Sequence, residues 1–226
     1  MLYFIPTPIW NLDDITLRSL KLFNKLDIFF CEDTRTFKKL LNHYQIDFSN
    51  KKFYSITSYT SKEKLNFYTK LIKENDIWVV SEAWTPWLSD PGKELIRICY
   101  EENIKFEVLP WANALVPSIV SACFDTSKFI FLGFLPQKKW RQTLIKKIIK
   151  EEYPVFFYES VHRIEKTLNQ LKENNFSGTI FVIREISKMF EEKICWSVEE
   201  ILEKIKNKEL ILKWEFVLWI KNNKNA

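Results

Sequence analysis

Three stretches of this 226-residue chain carry polar and turn-forming residues directly behind short apolar runs. TPIWNLDD (7–14) presents Asn11 and Asp13. CEDTRT (31–36) sets Glu32, Asp33 and Arg35 side by side. SEAWTPWLSDPG (81–92) is unusually long and contains Pro86 and Pro91. Carboxylates beside a guanidinium suit proton transfer or the orientation of a polar group. In open α/β sheets, ligands bind in loops at the carboxyl ends of strands, and long ordered loops are commonly functional. The same residues also suit local structure. Asn11, Asp13, Ser89 and Asp90 are good helix caps, and Glu32, Asp33 and Arg35 can satisfy one another as a surface ion pair. Taken alone, these loops indicate a cofactor or substrate cleft in an α/β enzyme without naming its reaction. Neither GxGxxG nor GxxxxGK[ST] is present, so dinucleotide and nucleoside triphosphate readings have no support.

The elements that must position these loops alternate along the chain. Strands are expected at 2–5, 27–31, 53–56, 77–81 and 105–109, interleaved with helices at 13–25, 36–44, 62–73, 91–102 and 115–123. The second half repeats the pattern, with strands at 129–134, 155–158, 179–184 and 215–220 and helices at 143–152, 161–173 and 198–206. Strand and helix alternation implies helix-covered sheets. There are too many strands for one small sheet, so the chain reads as two α/β domains, 1–118 and 119–226, with Phe124–Lys128 as a hinge.

Composition bounds the class. With 46% hydrophobic and 28% charged residues, this is an ordinary globular chain. No apolar run approaches the roughly 20 residues of a membrane span, and the N-terminus lacks the basic start of a signal peptide. Cytoplasmic location is therefore expected. Cys31, Cys99, Cys123 and Cys195 form no CxxC pair and read as reduced, mostly buried thiols. Two histidines give a zinc site no support from composition, and no metal is expected. The net charge of +5 hints at an anionic partner, with Lys138, Lys139, Arg141, Lys146, Lys147 and Lys150 concentrated in one segment. One pairing is abnormal: 3 glycines and 9 tryptophans, where average usage of about 7% would give roughly sixteen glycines.

In order along the chain, TPIxNLDDITLRSL, CEDTRTxxKLLNHY, SEAxTPxLSDPG, GFLPxKKxR, FYESxHR, REISKxFEE and KxEFVL resemble the bacterial 16S rRNA 2′-O-methyltransferase I family of the tetrapyrrole-methylase superfamily. The resemblance implies two α/β domains of the tetrapyrrole-methylase type with the cofactor cleft between them. It also implies a homodimer that uses S-adenosylmethionine to methylate the ribose of a cytidine in the decoding region of 16S rRNA, within the small ribosomal subunit. A tetrapyrrole (precorrin-type) methyltransferase is the neighbouring reading, and a non-catalytic RNA-binding protein is a reading from another class.

The tryptophans are the main departure. Trp10, Trp84, Trp87, Trp111, Trp140, Trp196 and Trp214 stand where the family typically has glycine, and Trp78 and Trp219 where glycine is acceptable. Loop glycines serve left-handed backbone and close approach to a ligand, which an indole obstructs. The pattern suggests UGA codons that mean glycine in the source organism. A large excess of Lys over Arg, with many Asn, Ile and Phe, fits an AT-rich genome. Glu82, Thr60, Ala112 and Asn113 also depart from the usual family residues.

The resemblance implies site residues by position. Glu32 and Asp33, with Arg35 as orienter, and Glu159, His162, Arg184 and Glu185 are the catalytic candidates. The choice of base among them stays open. Cofactor contacts are expected from Pro8, Trp10, Asn11, Ser81, Glu82, Ala83, Trp84, Thr85, Pro86, Ala112, Asn113 and Ala114. Lys138, Lys139 and Arg141 are expected on RNA phosphate.

Overall fold

A computed structural model describes residues 1–9, 11–57, 59–80, 93–110, 112–210, 212 and 215–223; for Lys93 and Glu215 it describes the backbone alone. Contacts divide the chain into two compact units, Met1–Asn113 and Ala114–Ala226.

The first unit has strands β1 (Leu2–Ile5), β2 (Ile28–Cys31), β3 (Lys52–Ser55), β4 (Ile77–Val80) and β5 (Phe106–Val108). Its helices are α1 (Leu17–Lys25), α2 (Thr34–His43), α3 (Lys62–Glu74) and α4 (Lys93–Glu101). The strands form one sheet in the order β3-β2-β4-β1-β5, and every pairing is parallel. Parallel sheets are buried on both faces, which is why β4 reads IWVV with all four residues buried. Alternation along each strand feeds two cores. Leu2, Phe4, Phe30, Ile77 and Val79 pack with Tyr68 and Ile72 of α3 and Leu95 and Ile98 of α4. Ile5, Phe29, Cys31, Trp78 and Val80 pack with Phe23 of α1 and Phe37 and Leu41 of α2. Burying one such side chain fully contributes roughly 1.5–3 kcal/mol before entropy is charged against it.

The helix expected over 13–25 is split. Asn11 caps a short 3-10 turn, Leu12–Asp14, by accepting from the Asp13 N–H. Ile15 and Thr16 are extended, and the Thr16 hydroxyl then caps α1 by accepting from Ser19 N at 3.0 Å. A side chain able to cap favours starting a helix over continuing one.

The second unit contains α5 (Leu115–Ser121), β6 (Ile130–Phe134), α6 (Arg141–Ile148), β7 (Val155–Ser160), α7 (Ile164–Glu173), β8 (Thr179–Arg184), β9 (Glu192–Trp196), α8 (Val198–Lys206) and β10 (Glu215–Lys221). Helix α5 spans the division at 118/119 expected from sequence. It is tied to the second sheet by the Trp219 indole, whose Nε1 donates to Ser118 Oγ at 2.9 Å. The sheet runs β6-β7-β10-β8-β9. β6 is parallel to β7, while β10 is antiparallel to both β7 and β8, and β9 is antiparallel to β8. One face packs Val155, Phe157, Ile180, Val182 and Leu218 against α6, α7 and α8. Strand β9 was absent from the sequence expectation because its acidic flank hid a short half-buried alternation. Ser197 and Glu200 then start α8 with a reciprocal capping box.

The cysteine expectation is corrected. Cys123 and Cys195 are joined as a disulfide with Cα atoms 6.3 Å apart, while Cys31 and Cys99 are buried thiols. A separation of 72 residues concealed the pair, since β9 had not been recognised as the neighbour of the segment after α5. No helix among the described residues is long and apolar enough to cross a membrane.

Candidate functional site

All five strands of the first sheet point the same way, so their carboxyl ends form one edge. β4, β1 and β5 are adjacent there. The loops that follow them begin at residues 81, 6 and 109, and these three loops contain every residue expected on the cofactor. Of that set, Pro8 is buried, Asn11 is exposed, and Ala112 and Asn113 are half-buried. Ala114 is buried and opens the second unit. Trp10, Ser81, Glu82, Ala83, Trp84, Thr85 and Pro86 lie outside the described residues, as do Trp87, Trp111 and Trp214.

The neighbouring end of β2 carries Glu32, Asp33 and Arg35. Asp33 caps α2 by accepting from Arg35 N at 2.7 Å, and its other oxygen lies 3.1 Å from Arg35 Nη2. The Arg35 guanidinium, with help from the backbone N–H, holds the Asp33 carboxyl below the usual carboxylate range. That makes Asp33 a weaker base and a better anchor. Glu32 is half-buried, and its carbonyl accepts from Ser55 Oγ of β3. Just behind, burial pushes the Cys31 thiol well above its usual range, so it stays protonated.

In the second sheet, β6, β7 and β8 all run the same way, and the register places Glu159, Phe216, Arg184 and Glu192 in one row across four strands. GFLPQKKWR, FYESVHR and REISKMFEE therefore end at the same edge. Sequence order does not reveal this, because β10 is the last strand in the chain yet lies between β7 and β8.

Two candidates turn inward at this edge. Glu159 is 0% exposed and Arg141 is 3% exposed. Arg141 Nη2 meets Glu159 Oε2 at 3.1 Å, Nε donates to Gln170 Oε1 at 2.9 Å, and Nη1 donates to the Pro136 carbonyl at 3.0 Å. Arg163 Nε reaches the other Glu159 oxygen at 2.7 Å, while its Nη1 donates to the Leu135 carbonyl. Thr167 Oγ1 donates to Glu159 at 2.7 Å, and Ser160 N donates to it at 3.0 Å. Glu159 thus has no open face for a substrate, and Arg141, expected on phosphate, spends its donors inside the fold. The network clamps the loop between β6 and α6. Arg163, Thr167 and Gln170 were missed as members, although their spacing of four and three residues marks one helix face.

Other candidates face outward. Lys138 and Lys139 are exposed on the clamped loop, with Lys139 Nζ 5.4 Å from the Trp140 ring centroid. Trp140 itself is exposed and left-handed, at φ 67°. His162 is exposed in the turn before α7, beside a polar groove lined by Gln142, Glu165, Lys166 and Asn169. Arg184 pairs with Glu192 at 3.1 Å. Glu185 is buried, left-handed at φ 56°, and paired with Lys188 Nζ at 2.6 Å.

Residues 1–202 match the family model for tetrapyrrole (corrin/porphyrin) methylases. The chain is 36% identical to ribosomal RNA small subunit methyltransferase I of Helicobacter pylori, covering 96% of this chain and 82% of that protein. The protein of the same name from Hydrogenobaculum is 37% identical, with 96% and 94% covered. Solved structures share the fold at low identity. Cobalt precorrin-4 methyltransferase aligns with TM-score 0.65 at 15% identity, covering 96% of this chain and 93% of that one. Diphthine synthase aligns at 0.72 and 8%, covering 97% and 89%. Uroporphyrin-III C-methyl transferase from Thermus thermophilus, complexed with S-adenosyl homocysteine, aligns at 0.62 and 12%, covering 96% of both chains.

Proposed function

We propose that this chain, which belongs to the tetrapyrrole (corrin/porphyrin) methylase family and within it to the ribosomal RNA small subunit methyltransferase I proteins, methylates the ribose 2′-hydroxyl of a cytidine in the decoding region of 16S rRNA. It does so with S-adenosylmethionine, as a cytoplasmic homodimer acting on the small ribosomal subunit. The observation that carries the reading is the gathering of GFLPQKKWR, FYESVHR and REISKMFEE at one edge of the second sheet.

The first unit fits the methyl donor. Strands β4, β1 and β5 are adjacent and parallel, about 4.8 Å apart, and the described residues that follow β1 and β5 include the small or polar Pro8, Asn11, Ala112 and Asn113. Pro8, Asn11, Ala112, Asn113 and Ala114 would hold it, together with Trp10 and 81–86. When bound, S-adenosylmethionine supplies a methyl group already activated on a sulfonium, so the chain's own work is positioning and proton removal. His162 takes the proton from the ribose hydroxyl: it is an exposed side chain without an ion pair among the described residues. Glu159 is enclosed by donors, Asp33 is a weakened base and Glu185 is held by Lys188. Lys138 and Lys139 bind phosphate, while Arg141, Glu159 and Arg163 fix their loop.

The nine tryptophans are glycines in the native protein, encoded by UGA. Trp140 supports this, since left-handed backbone favours glycine and is unusual for a bulky residue. Trp78 supports it too, because its buried Nε1 finds no hydrogen-bond partner among the described residues. Mass spectrometry of protein from the native cell reads glycine at these positions; tryptophan at 140 refutes the reading. The function is tested by methylating undermodified small subunits with protein made with glycine at the nine positions and mapping the product. A 2′-O-methylated cytidine is expected, and His162→Asn lowers kcat about 10²- to 10⁴-fold without changing subunit affinity. Absence of methyl transfer to rRNA overturns the proposal.

A further inference from the structure

The turn between β8 and β9 is shaped by its own bonds. Glu185 and Ser187 both hold left-handed backbone, at φ 56° and 68°. Lys188 N donates to the Glu185 carbonyl at 2.9 Å, Glu191 N donates to the Lys188 carbonyl at 3.2 Å, and Ser187 N donates to Glu191 Oε2 at 2.7 Å. Glu185 and Ile186 are buried and anchor the base of the loop. At its tip, Met189 is 90% and Phe190 68% exposed. Strained backbone at non-glycine residues persists where surrounding structure enforces it, and it concentrates at sites that bind. Here the strain holds two large apolar side chains out of the core.

The charges around the tip indicate what covers it. Glu185 is paired with Lys188, Glu191 with Lys193 at 2.7 Å, and Glu192 with Arg184. Each nearby carboxylate is neutralised, so the loop does not repel a polyanion. Lys138 and Lys139 stand exposed on the loop after β6, three strand spacings along the same edge, or about 14 Å. An exposed ring and two exposed cations on one edge match the chemistry of single-stranded RNA, where aromatic side chains stack on bases and cations track the backbone.

We propose that Phe190, with Met189 beside it, is a stacking platform for an unpaired base of the RNA substrate. This rests on the rRNA reading above. The test measures binding of the full chain, made with glycine at the nine tryptophan positions, to undermodified small subunits at several salt concentrations. S-adenosylmethionine binding by calorimetry serves as the control for folding. Phe190→Ala and Phe190→Leu are expected to weaken subunit binding about tenfold, as loss of one stacked base does. Phe190→Trp retains full affinity. The salt dependence stays unchanged, because no phosphate contact is removed. Parental affinity in Phe190→Ala overturns the platform, and so does full recovery by Phe190→Leu, which would mark an apolar protein contact instead. If the unsubstituted chain itself ignores the subunit, the rRNA reading falls first, and the platform falls with it.

Discussion

Replacing Glu159 with Gln tests whether the Arg141 guanidinium belongs to the fold or to the substrate. Glu159 is 0% exposed and Arg141 3%, so the substitution leaves a buried cation without its counter-charge. Breaking a buried ion pair from one side costs about 3–5 kcal/mol. At roughly 2–4 °C per kcal/mol for a chain of this size, the melting temperature falls by roughly 6–20 °C. The double variant Glu159→Leu/Arg141→Met removes both charges and is expected to recover most of the loss. Thermal unfolding of the parent, Glu159→Leu, Arg141→Met and the double variant supplies the coupling energy. A Glu159→Gln protein within about 1 kcal/mol of the parent, against the 3–5 kcal/mol expected for a buried pair, refutes the clamp. RNA binding provides a second readout. Arg141→Met loosens the loop through Pro136 and lowers affinity, but leaves the salt slope unchanged. A slope reduced by about one would place Arg141 on a phosphate after all.

The exposed lysines behave in the opposite way: Lys138→Ala and Lys139→Ala are each expected to reduce the salt slope of subunit binding by about one while leaving thermal stability unchanged. Burial raises the Cys99 thiol from 9.0 to about 11, so it should resist alkylation at pH 8 until the protein unfolds. Because the folded form favours the protonated thiol, its contribution to stability is complete below pH 9 and is lost as pH rises through about 11; denaturant titrations across that range check the sign. Trp140→Gly is expected to stabilise the chain by about 1 kcal/mol, since left-handed backbone costs a non-glycine residue roughly 1–2 kcal/mol and the exposed indole contributes little burial. Destabilisation on equilibrium unfolding would refute that account.

The sequence by itself determined the layered α/β class and most element positions. Alternating apolar runs such as LYFI and IWVV can bury themselves only as strands between helices, and residues such as Ser61 and Ser197 announce helix starts through local hydrogen bonds. These signals act over a few residues, so they survive in one dimension. Ile15 and Thr16, and the overlooked β9, mark where they fail: a cap competes with helix continuation, and a short strand is stabilised by a partner remote in sequence.

That Asn11, Glu32 and Asp33 follow the carboxyl ends of strands was legible because a short apolar run marks the strand before each. The roles of individual charges were not. Glu159, Arg141 and Lys139 look alike on paper as ionisable residues in matching motifs. Packing of α6 beside β7 turns the first two toward one another, and the third stays in solvent. Whether a charge faces water or another charge depends on residues brought together across 18 or more positions where α6 and α7 pack on the second sheet beside β7. That long-range packing, beyond the reach of local propensity, separates the buried clamp from the exposed lysines. Separately, β10 entering between β7 and β8 sets the loop of Phe190 and the exposed lysines at a single edge of the second sheet.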